Sequence, residues 1–213
     1  MQYYSRRVKH IRIVDNIEVH PSTYIRIAQL QSSALFPSLR HLDFHFNFNE
    51  NESFGSHIFL FLSPLLDSLK LYEISGVEDT VVGPFLATLS KPPQMLSRIV
   101  LNSGRMSVDI LANYFVHLKQ LRSVELLDAV CMTDFSLWEV LGTLPFLENF
   151  ILEVNNPKSH PPRAFENSNS QSGSLRYFDA LESLYVTGPF FLIQHLLGFI
   201  DSPCLKSIGI SPY

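Results

Sequence analysis

Apolar residues recur along this chain at an uneven but repeated spacing: one position, another three residues later, and a third two residues after that. In LPFLENFILEVNN, which begins at Leu144, the three are Leu147, Phe150 and Leu152. The same spacing places Val8, Ile11 and Ile13; Leu39, Leu42 and Phe44; Leu66, Leu69 and Leu71; Leu96, Ile99 and Leu101. It continues with Leu121, Val124 and Leu126; Leu181, Leu184 and Val186; Leu205, Ile208 and Ile210. Such spacing is too irregular for a helix stripe and does not alternate throughout as a strand would. The first positions, from Val8 to Leu205, step by 24 to 34 residues, with a mean of about 28. One match is weak in a leucine-rich chain, but eight at near-even steps define an internal repeat.

The spacing has a physical reading. Numbering each repeat from its first apolar residue, positions four and six share one face of a short strand, because strand side chains alternate with period two. Position one points to the same interior from the turn entering the strand. Each of these side chains contributes about 1.5–3 kcal/mol when fully buried. A lone repeat cannot cover that face, so neighbours must stack into a continuous core.

Helical segments are expected between the strands, at 22–33, 55–64, 79–90, 107–119, 136–144 and 190–201. Ile110, Leu111, Tyr114, Phe115 and Leu118 make a helical stripe in the fourth. Gly83-Pro84 predicts that the third is split or starts late. Asp134 or Ser136 is a candidate cap for the fifth, with Ser136 and Glu139 in capping-box spacing. Pro37, Pro64, Pro145 and Pro203 each precede a strand, where proline stops a helix and favours extended chain. Strand, helix, strand in one direction implies a parallel sheet with right-handed crossovers.

The expected fold is therefore α/β: a leucine-rich-repeat solenoid, or horseshoe, with the parallel sheet on the concave face and helices on the convex face. Residues 1–213 form a single domain of about eight repeats in this reading. Residues 156–174, rich in Pro, Ser and Asn and without apolar periodicity, read as a mobile loop replacing a helix. Residues 47–53, NFNENES, read as a second polar loop.

The repeats resemble the pattern L-x-x-L-x-L-x-x-N in a degenerate form. That pattern's asparagine, at position nine, stands here as Asn16, Asn47 and Asn155; Ile74, Gly104, Ala129, Pro189 and Tyr213 replace it elsewhere. FPSLRHLDF (36–44), FLSPLLDSLKL (61–71), LRSVELLDA (121–129) and LPFLENFILEV (144–154) are similar to phrases in the repeat regions of fungal F-box proteins. The resemblance covers most of the chain and rests mainly on apolar positions. It implies the substrate-recognition part of an F-box-type (SCF) ubiquitin ligase subunit, whose F-box would recruit the ligase's adaptor. No F-box segment of the L-P-x-E kind stands in these residues, so the chain reads as a fragment or truncated member, and adaptor binding requires an F-box outside it. A stand-alone repeat scaffold without a ligase link is the alternative, and an enzyme on an atypical α/β sheet is a third reading.

Composition narrows the choices. The chain is 46% hydrophobic and 17% charged, with a net charge of −4. No basic cluster exceeds SRRVKH at residues 5–10, so a phosphate-binding surface and nucleic acid are not expected. HIFLFLSPLL, from His57, is too short to span a bilayer, and MQYYSRRVKH, which has no apolar h-region, does not read as a signal peptide. Cys131 and Cys204 are read as two buried thiols in a reducing, intracellular compartment, cytoplasmic or nuclear. No G-x-S-x-G, P-loop or H-E-x-x-H motif occurs, and neither catalytic residues nor a cofactor are expected.

Positions three, five and seven of each repeat face outward in this reading. The expected partner-binding residues are Arg12, His41, Asp43, His45, Lys70, Tyr72, Arg98, Glu125, Leu127, Ile151, Glu153 and Tyr185. Mixed polarity with aromatic and aliphatic anchors suits a protein partner. His10, His41 and His45 converge around Asp43 but are read as surface histidines rather than a metal site.

Overall fold

In the computed structural model, residues 2–14, 34–46, 54–74, 81–91, 95–102, 109–130, 136–156 and 177–213 are described. Eight strands follow one another: β1 (His10–Val14), β2 (His41–His45), β3 (Ser68–Tyr72), β4 (Arg98–Asn102), β5 (Ser123–Val130), β6 (Asn149–Asn156), β7 (Ser183–Gly188) and β8 (Ser207–Pro212). They form one eight-stranded sheet in sequential order, and every neighbouring pair is parallel. Each strand starts at the third position of its repeat, and equal positions face each other across the sheet. His10, His41, Ser68, Arg98, Ser123, Asn149, Ser183 and Ser207 make one such line.

The apolar triplets build the core. From the second to the seventh repeat, all three members are at most 2% exposed. Val8, Ile11 and Ile13 are partly buried against the same core. Ile208 and Ile210 differ: they are 50% and 43% exposed, because β8 is an edge strand of the described sheet.

Helices cover the core side of the sheet. They are α2 (Gly83–Leu89), α3 (Asp109–Phe115), α4 (Ser136–Gly142) and α5 (Phe190–Phe199), with a 3-10 helix over Phe54–Phe61; a short α1 (Gln2–Ser5), with Tyr4 exposed, precedes β1. Phe85, Leu86, Leu111, Phe115, Leu137, Trp138, Leu141 and Leu196 join the strand triplets in one cluster. The helix expected at 55–64 is thus a tighter, shorter turn, ending before Pro64. α2 begins at Gly83 with Pro84 in its first turn, as the Gly-Pro pair predicted, since proline's missing N–H costs nothing there. α2 packs beside α3, and a Cβ on Gly83 would collide with the Tyr114 ring, so glycine sets how closely the two helices approach. The helix expected at 22–33, the loops at 156–174 and 47–53, Asp134, Cys131, Asn16 and Asn47 fall wholly or almost wholly outside the described residues.

The prolines act in turns rather than simply as extended-chain residues. Phe36–Leu39, Ser63–Leu66 and Leu144–Leu147 are tight turns closed by N–H to carbonyl bonds of 3.1, 3.1 and 3.4 Å, with Pro37, Pro64 and Pro145 second in each. Proline's fixed φ fits that place. Leu118–Leu121 and Phe178–Leu181 make the same bond without proline, at 3.1 and 3.0 Å. The turn delivers the chain to a second repeated feature. The carbonyl of position two accepts the N–H groups of positions two and three in the next repeat. Lys9, Arg40, Asp67, Ser97, Arg122, Glu148 and Glu182 all do this, at 2.7–3.1 Å.

The strand exits are irregular. Glu73 and Asp128, each the eighth residue of its repeat, adopt left-handed conformations with φ of 56° and 54°. Leu127 and Asp128 together oppose Glu153, a bulge that turns Ala129 inward beside Val154. Ile74 and Ala129, where the resemblance places asparagine, are buried, whereas Asn155 is exposed within β6. Among the described residues, position nine carries no regular asparagine ladder.

Candidate functional site

The face opposite the helices is built from positions three, five and seven. Strand alternation puts Arg12, Asp43, Lys70, Val100, Glu125, Ile151, Tyr185 and Gly209 in one row across the sheet. Val14, His45, Tyr72, Asn102 and Leu127 begin a parallel row. All twelve expected partner-binding residues lie on this face, each exposed or half-buried, and none belongs to the core cluster.

At β1–β3 the face is polar and aromatic. His10 Nε2 lies 3.5 Å from Asp43 Oδ2, and the His10 ring meets His41 edge-on at 6.1 Å. His45 stacks on Tyr72, with ring centroids 4.2 Å apart and planes 13° apart. This stack half-buries the imidazole, and its Nε2 has no hydrogen-bond partner among the described residues. Burial, chiefly, holds the His45 pKa below 6.5; Arg12 pushes the same way, against Glu73 and Asp43. Burial also lowers the pKa of His195 on α5.

These two shifts carry a pH prediction. A lowered folded-state pKa means that the native protein resists protonation, so unfolding takes up protons. Their contribution is complete above the ordinary value of 6.5 and is lost as pH falls toward the folded-state values. The urea midpoint should therefore drop between about pH 7.5 and about pH 5.5. His45→Phe and His195→Phe should each flatten that drop; an unchanged pH profile in the double variant would refute the assignment.

Further along, the Arg98 guanidinium donates to Glu125 Oε1 at 2.6 Å. Val100, at an outward position, is only 3% exposed, and Ser68 only 8%. Both correct the simple alternation, in which every outward residue meets solvent: each is a short side chain between longer ones in its row, His41 and Arg98 beside Ser68 and Lys70 and Glu125 beside Val100. Val100 was missing from the expected site, and it forms the floor between Lys70 and Glu125. Gly209 was missed too. A Cβ there would lie 2.5 Å from Tyr185 Cδ2, so the tyrosine ring leans over β8 on space that only glycine leaves. A glycine facing outward beside a tyrosine position was the available signal.

Position two forms a separate charged line at the strand entries. Arg122 pairs with Glu148, Lys206 Nζ with Glu182 at 2.8 Å, and Ser97 Oγ donates to Asp67 Oδ1 at 2.5 Å. Exposed pairs of this kind add little stability. Cys204 is exposed, not buried as expected, because it lies in the turn before β8.

Among the described residues, no three His, Cys, Asp or Glu side chains are grouped to hold a metal ion, and no helix is long and apolar enough to cross a membrane. Comparison with known proteins adds no relative: no family model, curated protein or solved structure matches this chain.

Proposed function

We propose that this chain is a leucine-rich-repeat solenoid, a horseshoe with its sheet on the concave face, and that this face binds a protein. One observation carries the reading. Eight strands in equal register present an outward face that no described helix covers, set with charged groups and the anchors Tyr72, Leu127, Ile151 and Tyr185. Aromatic anchors among polar neighbours are the arrangement that protein interfaces favour. The repeated turn and the shared position-two carbonyl support the repeat reading, since each unit reproduces the same backbone bonds to its neighbour.

Within this proposal the bound protein is the substrate of an F-box-type ubiquitin ligase, a link that rests on the resemblance of the repeat phrases. Co-purification of the ligase adaptor with the full-length gene product supports that link; its absence leaves a stand-alone scaffold.

The binding reading is tested by Tyr72→Ala and Tyr185→Ala, which alter outward side chains and leave the core intact. In quantitative capture from cell extract, each variant should retain the wild-type partner about thirtyfold less, on the scale of an interface hot spot. Thermal unfolding should stay near wild type. Identical capture by the double variant would overturn the reading, and unfolding by either change would put the tyrosines on the wrong face.

A further inference from the structure

Resting on that protein-binding reading, we propose that the occupant is one extended segment running across the strands, with a single carboxylate side chain at β1–β3, an apolar side chain at β5–β7 and a cationic side chain beside Glu153.

The charges of the face argue for this order. Arg12 and Lys70 flank Asp43 in the central row. Neither cation is in an ion pair among the described residues, whereas Asp43 faces His10. Asp43 in this row and Glu73 at the exit of β3, close enough to act on His45, formally balance these two cations, so the patch offers two unpaired cations without a large positive excess. That suits one carboxylate; a phosphoryl group would bring nearly two negative charges against Asp43. At the other end Glu125 is held by Arg98, while Glu153 has no ion pair among the described residues. Around Glu153, Leu127 on β5, Ile151 on β6 and Tyr185 on β7 make the apolar part, with Tyr185 40% exposed.

Geometry sets the spacing. Lys70 and Tyr185 stand four strands apart in the same row. At about 4.8 Å per strand this is roughly 19 Å, or about six residues of extended chain. The occupant therefore carries its acidic residue about four to six residues from an apolar–cationic pair. The absence of a large basic excess fits a short segment of mixed charge and not a polyanion.

Selection of a random peptide display library on the whole chain tests the proposal. Enriched peptides should share that charge order and spacing. Lys70→Gln should weaken them about five- to tenfold, more at low salt than at high salt, because the contact is exposed. The Lys70→Glu/Glu153→Lys double variant should select the reverse charge order. Enriched peptides that bind Tyr185→Ala poorly yet ignore both charge variants would overturn this inference and leave the face as a binding surface. Peptides insensitive to Tyr72→Ala and Tyr185→Ala would overturn the face itself, and no enrichment at all would overturn the inference. Wild-type circular dichroism for Lys70→Gln separates lost binding from lost fold.

Discussion

Replacing Phe150 with alanine is expected to lower the unfolding free energy by about 3–5 kcal/mol, among the largest effects a single truncation can have in this chain. Phe150 is the fourth residue of its repeat and is fully buried. Its ring meets Trp138 of α4 edge-on at 5.8 Å and lies nearly parallel to Phe178, 6.3 Å away, in the turn before β7. One side chain thus joins a strand, its preceding helix and the next repeat. Removing it forfeits transfer energy and leaves a cavity that two fixed rings cannot collapse into. Phe150→Leu should recover part of the loss, since it keeps an apolar side chain and leaves a smaller cavity than alanine does. Equilibrium urea unfolding measures both; a loss below about 1 kcal/mol for Phe150→Ala would mean that the ring does not bridge these elements.

Much of this arrangement was readable in the amino-acid order, for a reason particular to stacked repeats. A triplet such as Leu66, Leu69 and Leu71 encodes strand register locally, because only one phase buries all three side chains. The structure places all eight strands at the expected positions, with equal positions paired. The start of α2 at Gly83-Pro84 was equally legible, since proline at a first turn has a local steric cause.

Less legible were features set by neighbours in space. Val100 is outward by alternation and yet buried, because its exposure depends on Lys70 and Glu125 about 30 and 25 residues away in sequence. The bulge at Leu127 and Asp128 depends on pairing with β6, and nothing within LRSVELLDA announces it. Cys204 was expected inside on the general habit of cysteine, but the turn holding it is exposed. On the candidate face, the identities of the outward side chains could be read from the repeat. The His45–Tyr72 stack and the Arg98–Glu125 pair could not, because they depend on side-chain directions between strands.

Stacking also makes the cost of a mutation depend on its place along the sheet, and one comparison measures this. Leu126 and Ile210 occupy the same sixth position of their repeats, and both point to the helix side. Leu126 is 1% exposed between β4 and β6, whereas Ile210 on edge strand β8 is 43% exposed. Leu126→Ala should therefore cost about 2–5 kcal/mol, while Ile210→Ala should cost less than about 1 kcal/mol. A reading in which each triplet residue acts within its own repeat expects similar costs at both sites. Stability divided into repeat and nearest-neighbour terms expects the observed burial to govern, since the interior residue has a rung on each side and the edge residue has one. Matched urea unfolding of the two variants decides between these accounts: equal losses would reject the neighbour term, and a several-fold gap would place most of each triplet's contribution in the contacts between repeats.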